Sequence, residues 1–123
     1  MEQLTKAEEP VMSILWKLKK AFVKDILNEL PEPKPPYNTV SSIVRVLENK
    51  GYVGHTAYGK THQYHPVICK SDYRKSLFKN IMQDYFDGSY KKVVTHLVDE
   101  ENLSEQEIQE IEAIIENAKK KKP

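Results

Sequence analysis

Three amphipathic segments, then two alternating segments about a glycine, then three more amphipathic segments predict a mainly α fold with a small β-hairpin wing. Two details sharpen this. The third segment, YNTVSSIVRVLENKGY, keeps one apolar stripe, Val40, Ile43, Val44 and Leu47, at helical spacing and ends on Gly51. Immediately after it, YVGHTA and THQYHPV flank Tyr58-Gly59-Lys60-Thr61, the composition of a two-residue hairpin turn. With 123 residues the chain suits one domain, or a small domain with an appendage, and the order divides it at residues 1–70 and 71–123.

The first helix starts at a capping box, Thr5 with Glu8, and continues through Val11, Met12, Ile14, Leu15, Trp16 and Leu18. A second helix, about Phe22 to Leu30, must stop at PEPKPP, since proline lacks the amide proton and biases the preceding residue away from the helical region. The third helix is expected over Thr39–Lys50, with Asn38 or a neighbour as cap and Gly51 at the left-handed position beyond it. In the hairpin, Tyr58 pairs with Thr61, which sets Ala57 opposite His62, His55 opposite Tyr64 and Val53 opposite Pro66. Pro66 cannot donate to a ladder, so the second strand ends there or is an edge. Ser71 opens a helix carrying Leu77, Phe78, Ile81, Met82, Tyr85 and Phe86 that ends near Gly88, and a shorter segment carries Tyr90, Val93, Val94, Leu97 and Val98. Ser104 with Glu107 caps the last helix, which carries Ile108, Ile111, Ile114 and Ile115.

Composition bounds the function. Hydrophobic residues at 39% and charged ones at 30% are those of an ordinary globular chain. Single Cys69 excludes an intrachain disulfide and any paired-cysteine metal motif, which suits a reducing, cytoplasmic setting; packed as a small hydrophobe, it is not a nucleophile. No basic start leads into an apolar run and no segment is apolar over a bilayer's width, so neither a signal peptide nor membrane insertion is expected. Net charge is only +1, but residues 1–70 carry 10 basic and 7 acidic side chains, a net of +3, and residues 71–123 carry 9 and 11, a net of −2. Such a split permits nucleic-acid binding at one end.

The outward stripe of the third helix, Asn38, Ser41, Ser42, Arg45 and Asn49, is poor in helix formers. Three helices followed by a hairpin is the order of a winged helix, whose third helix lies in a DNA major groove. Short Asn, Ser and Thr side chains permit close approach, and Arg45 can reach a guanine edge or a phosphate. At the wing tip Lys60 suits a phosphate, with Tyr58 and His62 able to add hydrogen bonds. A protein-interaction module using the same helix face is the alternative reading.

His55, His62, His65 and His96 do not assemble a metal site, because His65 faces away from His55 and His62 on the hairpin. No phosphate loop, zinc-protease or serine-nucleophile motif occurs, so neither an enzyme nor a cofactor is expected. The apolar side chains of residues 71–123, Leu77, Ile81, Tyr85, Val94, Leu97, Ile108, Ile111 and Ile115 among them, exceed what three short helices can hide, which points to a homodimer presenting two recognition helices. A monomeric helical cap is the other possibility.

In order along the chain, LTKAEEPVMSILWK, YNTVSSIVRVLENKGYV, GKTHQYHPV and LSEQEIQEIEAII resemble the BlaI/MecI family of penicillinase repressors. The resemblance implies a homodimeric winged-helix transcriptional repressor on double-stranded, pseudo-palindromic operator DNA. By position it assigns Asn38, Thr39, Ser41, Ser42 and Arg45 to the DNA face and Lys60 to the wing. It further implies release through a membrane sensor-protease acting indirectly, at a bond in the dimerisation region. His96-Leu97 occupies that bond, where β-lactam-responsive members carry Asn-Phe. Val46 stands where many members place Arg, beside Arg45, so operator sequence does not transfer.

Overall fold

The computed structural model describes residues 1–122, in the order α1 (Glu8–Leu18), β1 (Ala21–Phe22), α2 (Val23–Glu29), α3 (Tyr37–Asn49), β2 (Val53–Tyr58), β3 (Thr61–Pro66), α4 (Lys70–Phe86), α5 (Tyr90–Glu100) and α6 (Glu105–Lys121). Two compact units divide the chain, Met1–Phe78 and Lys79–Pro123.

In the first unit, the Thr5–Glu8 box forms. The Glu8 carboxylate accepts from Thr5 N–H at 2.9 Å and Glu8 N–H donates to Thr5 Oγ1 at 3.2 Å. Val11, Met12 and Leu15 of α1, Val23 and Ile26 of α2, and Val40, Val44 and Leu47 of α3 interlock into one core with Tyr52, Val53 and Tyr64. Full burial stabilises each such aliphatic side chain by roughly 1.5–3 kcal/mol.

The connector after α2 is more than a breaker. Lys34 Nζ donates to the carbonyls of Leu27, Asn28 and Leu30 at 3.0, 3.0 and 2.7 Å, satisfying acceptors that a helix end leaves open.

The recognition helix begins earlier than its sequence suggests. Pro36, extended at φ −61° and ψ 149°, occupies the cap position, and its carbonyl accepts from Thr39 N–H at 3.0 Å. Asn38 is therefore not the cap but a first-turn residue, with its side chain exposed. At the other end Gly51 takes φ 85°. Gly51 N–H donates to Glu48 O at 3.0 Å and Tyr52 N–H to Leu47 O at 2.9 Å, a Schellman closure that turns the buried Tyr52 onto Leu47.

The hairpin has the expected register, from Val53 opposite Pro66 to Tyr58 opposite Thr61, with Gly59 at φ 64° in the turn. A third strand corrects the two-stranded reading. Ala21 pairs with Tyr64 and Phe22 with Gln63, giving the order β1-β3-β2. Thus β3 is the central strand; it ends at Pro66 but is not an edge. Two residues are too few to show alternation in sequence, and α2 starts after them, at Val23.

The first turns of α4 also belong to this unit. Tyr73 is buried, its hydroxyl accepts from Leu4 N–H at 3.0 Å, and its ring lies 5.8 Å from Trp16 and 5.9 Å from Tyr52. Hence the unit continues to Phe78 rather than ending at residue 70. Cys69 is exposed, not a buried hydrophobe, with Sγ 3.7 Å from Ser71 Oγ: it lies in the short link between β3 and α4, where Trp16 Nε1 reaches the neighbouring Ile68 carbonyl at 2.9 Å.

In the second unit, Ser89 caps α5 and Ser104 with Glu107 caps α6, both by side-chain hydrogen bonds to the first turn. Met82 is the buried residue of its α4 portion. Most other apolar side chains there are half-buried or exposed.

Candidate nucleic-acid interface

Since α3 buries Val40, Val44 and Leu47, its opposite face points outward by helix geometry alone. Asn38, Thr39, Ser42, Arg45 and Asn49 are exposed there and Ser41 is half-buried at the margin. Of these, Asn38, Ser41 and Arg45 form one edge of an open groove of about 910 Å³. Lys60, Thr61 and His62 of the wing form another, and Phe22, Lys24 and Asp25 at the start of α2 close it.

Charge in the groove is mostly positive. Lys24, Arg45 and Lys60 face it against the single carboxylate of Asp25, which already accepts Phe22 N–H at 2.9 Å. Glu48 does not line the groove. Its Oε2 lies 2.5 Å from His55 Nδ1, so the one acidic side chain of α3 is tied to the base of the wing. That contact also braces β2 against the recognition helix.

Wing side chains are held in a row. The His55 and His62 rings stack at 4.1 Å with planes 6° apart, on the face that carries Tyr64. Burial raises the Tyr64 hydroxyl pKa, with Glu48 adding and Arg45 opposing, so at the groove floor it remains a neutral donor. Tyr58 is exposed near the tip, its ring centroid 6.1 Å from that of Phe22 in an edge-to-face arrangement made possible by β1. Among the described residues no group of three or more His, Cys, Asp or Glu could hold a metal ion.

Sequence reasoning missed Lys24, Phe22 and Tyr37. Lys24 sits on a short helix with too few turns to reveal a face, and Tyr37 belongs to α3 only because that helix starts at the proline cap.

The expected dimerisation residues separate. Leu77 is half-buried, packed against the core of the first unit. In the second unit Ile81, Tyr85, Val94 and Ile115 are exposed, whereas Leu97, Ile108 and Ile111 are half-buried. The His96–Leu97 bond lies inside α5 rather than in a loop. His96 Nε2 is 3.0 Å from Glu101 Oε1, and its ring lies 5.8 Å from Phe86. No described helix is long and apolar enough to cross a membrane.

A sequence profile described as penicillinase repressor matches residues 4–117. The chain is similar to the methicillin resistance regulatory protein MecI of Staphylococcus aureus (strain N315), 28% identical over 114 residues that cover 92% of this chain and 93% of that one. It is similar also to the penicillinase repressor of Bacillus licheniformis, 26% identical over 121 residues, 98% and 94% of the two chains. Among solved structures, the DNA binding domain of the repressor BlaI superposes with a TM-score of 0.51 at 29% identity, over 58% of this chain and 88% of that one. The hsRosR-S4 complex structure superposes with a TM-score of 0.56 at 15% identity, over 95% and 90%, a likeness of fold.

Proposed function

The chain belongs to the penicillinase repressor family and is a DNA-binding transcriptional repressor, not an enzyme; from that premise we propose that it acts as a homodimer on a pseudo-palindromic operator. In each half-site α3 lies in the major groove, with Asn38, Thr39, Ser41, Ser42 and Arg45 toward the bases and the nearest phosphates. Lys60, Tyr58 and Lys24 hold the flanking backbone. One observation carries this reading: cationic side chains from three separate elements, Lys24, Arg45 and Lys60, converge on one groove beside a helix face of short polar groups. Phosphates supply the affinity and the short groups allow the approach that base contacts need.

Dimerisation is proposed through the second unit, where Ile81, Tyr85, Val94, Ile111 and Ile115 leave apolar surface that an isolated chain would keep in water. Indirect release by a membrane sensor-protease, if it used the His96–Leu97 bond, would require α5 to unwind first, because nicking concentrates in exposed loop tips.

The test is binding to a duplex recovered by selection and to a random duplex, across a salt series. Tighter binding of the selected duplex, with log K falling linearly in log salt, is the expected result. Equal affinity for both duplexes would overturn the operator reading.

A further inference from the structure

The outward face of α3 has two edges. At about 100° per residue, Asn38, Ser41 and Arg45 stand on the side that lines the groove with the wing, and Thr39 and Val46 flank Ser42 on the other side. Val46 is 44% exposed on a face otherwise made of Asn, Ser, Thr and Arg. It plays no part in the core of this unit.

We propose that Val46 reads the C5-methyl group of a thymine at one fixed position in each operator half-site. This rests on the reading that the outward face of α3 enters the major groove. The edges of the base pairs there carry donors, acceptors and a single kind of apolar group, the thymine methyl. An isolated apolar side chain on such a face therefore has one chemical match. Valine suits the task because a helix confines a β-branched side chain to essentially one rotamer, so its methyls are placed before contact and little freedom is lost on binding. Ser42 and Thr39, one and two turns back along the same side, are short enough not to hold the helix away from the base. Arg45, adjacent in sequence but on the wing side, leaves the thymine contact to Val46.

The experiment compares the intact wild-type protein with Val46→Ala, which removes the methyls from an exposed helical position that alanine favours. Duplexes are selected from a random pool by each protein, and in the wild-type consensus each thymine is replaced in turn by uracil, which lacks only the methyl. A thymine invariant in wild-type selections is expected, with uracil there weakening binding about fourfold in one half-site, the value of one buried methyl-sized group, and with Val46→Ala indifferent to the change. Sequence-specific binding by both proteins with identical responses to every uracil would overturn the role of Val46 alone. Failure of the wild-type to enrich any sequence would overturn the recognition-helix reading, and this proposal with it.

Discussion

Lys50 Nζ lies 3.0 Å from the carboxylate of Glu8, joining the end of the recognition helix to the start of α1. Among the described residues Glu8 is the one buried charged side chain, 4% exposed, and its carboxylate also closes the Thr5 turn. A buried carboxylate is tolerable only when paired and hydrogen-bonded. Both conditions are met, so this pair fixes the C-terminal end of α3 relative to the unit that carries it.

Burial opposes ionisation of Glu8, but the Thr5 hydrogen bonds and Lys50 outweigh it and hold the carboxyl below its ordinary value of 4.5. Its contribution to stability is therefore fully present above that value and is lost as pH falls through the lower folded-state pKa. Glu8→Gln should destabilise the protein at neutral pH by about 1–2 kcal/mol. The gap to wild type should narrow as pH falls below 4.5. Denaturant titrations at several pH values measure it; a gap that stays constant into acid contradicts the role of the charge.

Arg45 and Lys60 should separate by kind of contact. Lys60→Ala at the exposed wing tip should weaken all duplexes alike and reduce the salt slope by about 1. Arg45→Ala should cost more on the selected duplex than on a random one, roughly 1–3 kcal/mol if it reads a guanine edge. Fluorescence anisotropy across a salt series reads both, and identical behaviour of the two variants would place Arg45 on a phosphate.

Ile111 and Ile115 lie on α6 with Ile115 exposed. The double change Ile111→Glu, Ile115→Glu should convert a dimer to monomer in sedimentation, and lower operator affinity at least tenfold because a single half-site loses the gain from linkage. Retained helical circular dichroism identifies loss of assembly rather than of folding. Unchanged sedimentation would place the interface elsewhere.

Local chemistry was legible where few residues decide it. The Gly59 turn sets the entire hairpin register, because once Tyr58 faces Thr61 every later pair is determined by a period of two. The apolar stripe of α3, its Gly51 closure and the Thr5 and Ser104 boxes are likewise local, each set within one or two turns. The outward face of α3, and so the candidate site, followed from the same stripe.

What the sequence by itself determined were elements whose geometry is written in a few consecutive residues: the six helices in order, the hairpin pairing, and the short polar face that Asn38, Ser42 and Arg45 share. Tertiary structure decided whatever depends on distant partners. Ala21 and Phe22 become a strand only because β3 offers them backbone groups at Tyr64 and Gln63. Tyr73 belongs with the N-terminal core because Leu4, Trp16 and Tyr52 are there to receive it, and Leu77 packs against the same core. Lys24 reaches the groove because α2 packs beside α3, and Glu48 leaves it because His55 lies within reach of its carboxylate. The physical reason is common to all four: the free energy of each placement lies in a contact between residues far apart in the chain, and periodicity carries no record of such contacts.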